Sequence, residues 1–338
     1  MNEEQLINSI VFMDFSETFL AFSDLQKEFS LEKVEKLIRI EGDEEIIKLL
    51  AYELVFFCKI RPFSVDLAVK ACILVSKKYK MADKFREHLV SIGIKMCPKL
   101  IYELYSINYF EQNEVIPMII KLESFDLAAL FSQFIPDFFD VICEWEDYER
   151  EWDNLEPIVG KNCENISDLA KYGCLYKSLE YCLKYDDIAG FQILSSHPSF
   201  NIRKRIKNGI FEWSNAPLGS SLISYAAFFG SISLFKYLLL NGGIIDDDVL
   251  ADAVSSGKEE LVQMCISSYD NIGISLANSL KYRRDSIFDW LNKDQSYVLD
   301  IGYLFENFYF SPFVSIFNNG ELTKSNNIVF IIILHVIT

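Results

Sequence analysis

The chain reads as all-α, a solenoid of helical hairpins, and three observations lead there. Its 338 residues include only 14 Gly and 8 Pro, so few breakers interrupt long helical runs. Apolar residues recur at helical spacing, as in Leu31, Val34, Leu37 and Ile38. One pattern, two short apolar segments parted by a glycine, returns along the C-terminal half. With 51% hydrophobic and 14% aromatic residues, the chain has ample material for a core, which excludes global disorder.

Residues 1–160 carry helical periodicity without glycine punctuation. Ser30 is placed to cap the stripe that begins at Leu31. A fatter stripe of Ile46, Ile47, Leu49, Leu50, Leu54, Val55 and Phe57 stops at Arg61-Pro62, because the residue before a proline avoids helical backbone. Ser64 opens the next, through Leu67, Ala68, Ala71, Ile73, Leu74 and Val75. Helices are predicted over about 83–110, 113–122 and 124–135, with links short enough for antiparallel neighbours. Pro136 then suits the first turn of an acidic helix from Asp137 to Asp153. From Asp137 to Glu156 nine acids face a single base, Arg150, and Trp145, Tyr148 and Trp152 recur at i, i+3, i+7. A packed aromatic face with a solvated acidic back is the simpler reading; a stripe that recognises a basic peptide is the other.

The second half repeats in register. Ile223, Ala226, Ala227, Gly230, Leu234, Phe235 and Leu238 return as Leu250, Ala253, Val254, Gly257, Leu261, Val262 and Cys265. They return again as Leu276, Ser279, Leu280, Arg283, Ile287, Phe288 and Leu291, and a further copy spans Ser178 to Leu194 upstream. The small residues let the first helix of each pair lie close to its neighbours, and Leu234, Phe235 and Leu238 give the second helix one apolar stripe. Ser231 and Asp285 are expected N-caps, and Gly242 a C′ residue. No single unit buries its stripe alone, so stability must come from stacking.

This unit resembles an ankyrin repeat, and the whole is similar to the large ankyrin-repeat families expanded in parasitic protists, where a helical region precedes degenerate repeats. The copies are 26–27 residues apart, against about 33 for the ankyrin unit; a shortened finger between Gly243 and Asp248 accounts for the difference. Ser221-Leu222-Ile223-Ser224 stands where such repeats open with Thr-Pro-Leu-His, and Arg283 replaces the last turn glycine. These departures imply a less regular and less stable array. The resemblance implies a helical region at 1–160, degenerate repeats at 161–300 and an atypical tail at 301–338. It also implies that the two residues before each turn glycine line a concave partner-binding face: Phe228 and Phe229, Ser255 and Ser256, Lys281 and Tyr282. Phe228 and Phe229 are the expected exposed anchors, unless one of them packs under the preceding finger.

The remaining features are mostly exclusions. A net charge of −17 is the wrong sign for nucleic acid or acidic membranes, and the short basic run Arg203-Lys204-Arg205 with Lys207 reads as a solvated surface. None of the eight cysteines has Cys-x-x-Cys spacing or a nearby His at zinc-ligand distance; Cys58, Cys72, Cys182 and Cys265 read as small core residues in a reducing compartment. His88, His197 and His335 are scattered, and no nucleophile elbow, phosphate loop or dinucleotide fingerprint is present. The N terminus, Met-Asn-Glu-Glu, lacks a basic n-region, so a cytoplasmic location is expected. Ile328 to Ile337 forms an apolar β-branched run too short to span a membrane. The expected function is a non-catalytic scaffold without cofactors that binds a protein partner; the alternative is a structural module that self-associates.

Overall fold

The computed structural model describes residues 21–293 except 22, 23, 40–43, 79, 136, 207–210, 218 and 267–271. Regular structure among them is helical, with one isolated β-bridge between Arg205 and Ser221. The apolar tail at Ile328–Ile337, His335, Lys207 and Pro136 lie outside the described residues.

Among the described elements the N-terminal part has α1 (Leu31–Arg39), α2 (Glu44–Ile60), α3 (Val65–Lys78), α4 (Ala82–Met96) and α5 (Pro98–Ser106). It continues through α6 (Gln112–Leu122), α7 (Phe125–Leu130), a 3₁₀ turn (Ser132–Phe134), α8 (Phe138–Ile142), α9 (Tyr148–Val159) and α10 (Ile166–Tyr172). Ser30 Oγ accepts from the Lys33 amide, as its cap position requires. Two expected helices are each broken in two. The run at 83–110 stops at Cys97 because Pro98 cannot continue a helix but suits the first turn of the next. The acidic helix is interrupted at residues 143–147, with Asp137 and Asp147 in left-handed backbone. Two different anchors explain that break: Trp145 packs on Phe125 at 5.1 Å and Trp152 on Phe139 at 5.3 Å. A straight helix would also stack its acids at i, i+4 spacing. The aromatic stripe is therefore a packing face.

Among the described residues the C-terminal part holds four hairpins: α11 (Leu179–Tyr185) with α12 (Ile188–Ser195), α13 (Leu222–Phe229) with α14 (Ile232–Leu240), α15 (Asp247–Ser256) with α16 (Glu259–Ile266), and α17 (Gly273–Lys281) with α18 (Asp285–Leu291). The first helices pack in series, α11 on α13, α13 on α15, and α15 on α17. Ser178 and Ser221 cap α11 and α13 through their hydroxyls. Each hairpin turns at one left-handed residue: Asp186, Gly230, Gly257 and Arg283, with φ between 53° and 77°. Glycine takes that conformation freely, whereas an arginine does so only with support from its surroundings. Gly242 is also left-handed, and the Gly243 amide reaches back to the Leu238 carbonyl, a Schellman end to α14.

Two expected caps are corrected. Ser231 sits at the N-terminus of α14, yet its hydroxyl donates to the Leu183 carbonyl in the previous hairpin. The α14 amides of Ser233 and Leu234 are taken instead by the Asp186 carboxylate, at 3.1 and 2.8 Å. Asp285 is the first residue of α18, and Arg284 occupies the cap position. For α14, then, the neighbouring hairpin supplies what the local sequence was expected to.

Among the described residues two apolar cores result. The first runs from Ala21 to Ala170 and takes in Phe211. The second joins the hairpins, with Leu234, Phe235, Leu238, Leu261, Val262 and Cys265 at its centre, and it includes Phe56 and Ile60 of α2. Helix α2 thus contributes to both: Leu50, Ala51, Leu54, Val55 and Cys58 to the first, Phe56 and Ile60 to the second. Residues 161–178 precede the hairpins, and Ile166, Leu169 and Ala170 pack into the first core.

Candidate interaction surface

The residues just before each left-handed turn do converge. Phe228 lies 5.0 Å from Phe229 and 5.7 Å from Tyr282, ring centre to ring centre. Their expected exposure, however, is corrected: Phe228 and Phe229 are 5% and 6% exposed, and Tyr282 and Ser255 are buried as well. The N-terminal helices fill the face. Phe56 and Ile60 pack into the same core from α2, and Phe63, in the turn after α2, meets the Phe229 ring edge-on at 6.0 Å. The Tyr282 hydroxyl donates to the Asn215 carbonyl, and the Asn215 amide to the Lys59 carbonyl. Ser255 accepts from Asn278, and the Ser256 carbonyl accepts from Arg284, so both serve contacts between hairpins. Ser256 and Lys281 are half-buried.

Ion pairs fix this arrangement. Arg283 binds Glu53 of α2 in fork geometry at 2.7 and 3.0 Å, with side chains only 3% and 2% exposed. Gln26 donates to the same carboxylate at 2.7 Å, and the guanidinium stacks 4.9 Å over Phe56. The arginine that interrupts the glycine pattern is therefore the anchor between the two parts. Lys184 of α11 is equally buried; it pairs with Glu212 at 2.5 Å, donates to the Tyr172 carbonyl and lies 5.0 Å over the Phe229 ring.

Where this covered face reaches the surface, five rings run on without a break. Phe63 meets Tyr185 at 5.6 Å, Tyr185 stacks on Tyr181 at 4.8 Å, and Tyr181 contacts Tyr172 and Tyr176 at 5.1 and 4.9 Å. Phe63 is 54% and Tyr176 49% exposed, while the three between them are half-buried. Lysines edge one end, Lys171 over Tyr172 and Lys177 over Tyr176. Burial pushes the Tyr185 and Tyr181 phenols above their ordinary range, so these two keep their protons over the physiological range. Tyrosine offers a large rigid area with one polar handle, which is why it is favoured at interfaces.

The ladder was not expected from the sequence, although four tyrosines between 172 and 185 are a signal of composition. The basic run at Arg203–Arg205 is exposed, in keeping with a solvated surface. Of the cysteines expected in the core, Cys58, Cys72, Cys182 and Cys265 are buried. Among the described residues no group of three His, Cys, Asp or Glu is placed to hold a metal ion, and no helix is long and apolar enough to cross a membrane. Protein-family models, curated proteins and solved structures give no match to this chain.

Proposed function

We propose that this chain is a non-catalytic scaffold that binds a protein partner through the aromatic ladder Phe63, Tyr185, Tyr181, Tyr172 and Tyr176. The single observation that carries the reading is that these rings are contiguous and end in two large exposed side chains, Phe63 and Tyr176. Aromatic clusters of this kind concentrate binding energy. The face expected from the repeats is occupied by α2 and so offers little to a partner.

We further read the four hairpins as degenerate ankyrin-type units stacked as a solenoid. Their first helices pack in series, their spacing is regular over the last three, and each turns at a left-handed residue. A location in the cytoplasm belongs to the same proposal.

The test is quantitative affinity capture from source-cell lysate with three baits: wild type, Phe63→Ala/Tyr176→Ala, and Leu240→Ala as an exposed apolar control. Proteins lost only with the double variant support the ladder as the contact surface. An unchanged set removes it. Recovery of the bait alone, with light scattering that shows dimers dispersed by the double variant, favours the self-associating module.

A further inference from the structure

A small cavity lies where α2 meets the last hairpin, beside the Glu53–Arg283 ion pair. It measures about 60 Å³ and is lined by Lys27, Arg61 and Arg283, with the stacked rings of Phe29 and Phe57 as an apolar wall. A water molecule needs about 10–15 Å³, so the space suits a group of roughly four or five heavy atoms. Lys27 is exposed, and the cavity reaches solvent there; Arg61 is half-buried.

The charge around it is one-sided. Three cations line the cavity against one carboxylate, Glu53, in a chain whose net charge is −17. That carboxylate is already saturated: one oxygen accepts from Gln26 at 2.7 Å and Arg283 at 3.0 Å, the other from Arg283 at 2.7 Å. Among the described residues neither Lys27 nor Arg61 forms an ion pair with a carboxylate. Arg61 uses two of its five N–H groups on the Ile60 and Arg283 carbonyls, at 3.0 and 3.4 Å. Burial, with Arg284 and Arg283 nearby, pushes its guanidinium below the ordinary range, and Asp285 only partly opposes them. A guanidinium does not shed its proton near neutral pH, so an anion is what relieves such crowding.

We infer that this cavity binds a phosphate-class oxyanion, held by the Arg61 guanidinium inside and the Lys27 ammonium at the mouth, with the charge of Arg283 behind them. A guanidinium offers paired N–H donors that match such an oxyanion, and a lysine adds a mobile point charge. The Phe29 and Phe57 rings keep water from one side of the site, which strengthens each charge contact. The volume holds the oxyanion and little more, so a phosphate monoester would seat its head inside and leave the rest of the molecule outside, past Lys27. The binding groups come from three places in the chain: Lys27 before α1, Arg61 just after α2, and Arg283 at the last turn. A bound oxyanion therefore bridges the N-terminal part to the final hairpin, alongside the ion pair.

The full-length chain is titrated with sodium phosphate, and with sodium chloride at matched ionic strength, with binding read by calorimetry and stability by thermal melts. The expected result is saturable one-site phosphate binding, with a rise of a few degrees in melting temperature that chloride does not reproduce. Arg61→Gln should weaken phosphate binding by about tenfold or more, and Lys27→Ala by a few-fold. Arg203→Gln, in the exposed basic run, should leave it unchanged. Methyl phosphate separates the sources: binding as tight as phosphate's assigns the site to a monoester head, and binding of phosphate alone assigns it to the free ion. The inference is overturned by the absence of saturable phosphate binding, by an equal response to chloride, or by an affinity that survives Arg61→Gln. If Arg61→Gln fails to fold, Lys27→Ala decides, because it changes only an exposed side chain: an affinity equal to that of Arg203→Gln then overturns the inference.

Discussion

Removing the Glu53 carboxylate is the sharpest test of how the two parts are joined. In the folded chain Glu53 and Arg283 are almost fully withdrawn from water, joined by two hydrogen bonds, with Gln26 on the remaining oxygen lone pairs. At an effective dielectric near 20, opposite charges about 3 Å apart attract by roughly 5 kcal/mol. Several kcal/mol of desolvation per ion offset that gain, so the pair contributes little beyond what a well-packed apolar pair of its size would. The asymmetry lies in breaking it. Glu53→Ala leaves a buried guanidinium without its carboxylate, and should cost about 3–5 kcal/mol. Arg283→Ala should cost a similar amount, whereas Glu53→Ala/Arg283→Ala should lose less than the sum of the single changes, because neither charge is then left unpaired. Urea unfolding followed by circular dichroism and by tryptophan fluorescence measures all four corners of the cycle. Fluorescence samples both cores, since Trp145 and Trp152 pack on the first and Trp290 on the second. A loss below about 1 kcal/mol for Glu53→Ala, or strict additivity in the double variant, would refute the claim that α2 is clamped against the last hairpin by a dry ion pair.

Two further predictions concern the hairpins themselves. Asp252 of α15 is buried, accepts from Ser224 of α13, and is raised to about 7 by burial, against Ser224, with Asp248 and Asp246 adding to the rise. A carboxyl that holds its proton more tightly when folded loses stability as pH climbs from its ordinary value near 3.8 to about 7. The full span corresponds to about 4 kcal/mol, so Asp252→Asn should stabilise the chain by about 2–4 kcal/mol at pH 8 and be near neutral at pH 4, measured by urea melts across that range. The second concerns the borrowed cap: Asp186→Ala should cost about 1–2 kcal/mol and raise amide exchange at the start of α14, while Asp186→Asn should keep most of the stability.

Local features of the hairpins were legible because their causes are local. The stripe Leu234, Phe235 and Leu238 is buried where spacing put it, the expected Ser30 cap forms in the N-terminal part, and the turn glycines are left-handed. Features set by distant residues were not. Nothing near Ser231 indicates that Asp186, 45 positions earlier, would take over its capping role. Nothing near Trp145 indicates that Phe125 would hold it away from a continuous helix. The covered face is the most consequential case, although it left a trace. The stripe on α2 is fat, and a helix apolar over most of its circumference is one that buries more than one side.

Arg283 joins these observations into one argument. Read against the repeat, an arginine in place of a turn glycine is a defect, since left-handed backbone disfavours a side chain with a Cβ. Read with Glu53 in place, the same residue is the point where the last hairpin grips α2. A scaffold that kept its repeat face open would have no use for a buried charge at that turn. A chain that closes its own face gains from one, because the ion pair selects a single seating of α2 against the hairpins, and apolar contact alone specifies position less sharply. Closing the face in this way leaves Phe63 at its rim, edge-on to buried Phe229 on one side and to Tyr185 of the ladder on the other. The same packing that removes Phe228 and Phe229 from a partner's reach therefore sets the outer rings in place. A variant that loosens α2, such as Glu53→Ala, should accordingly weaken partner capture even though it changes no residue of the ladder.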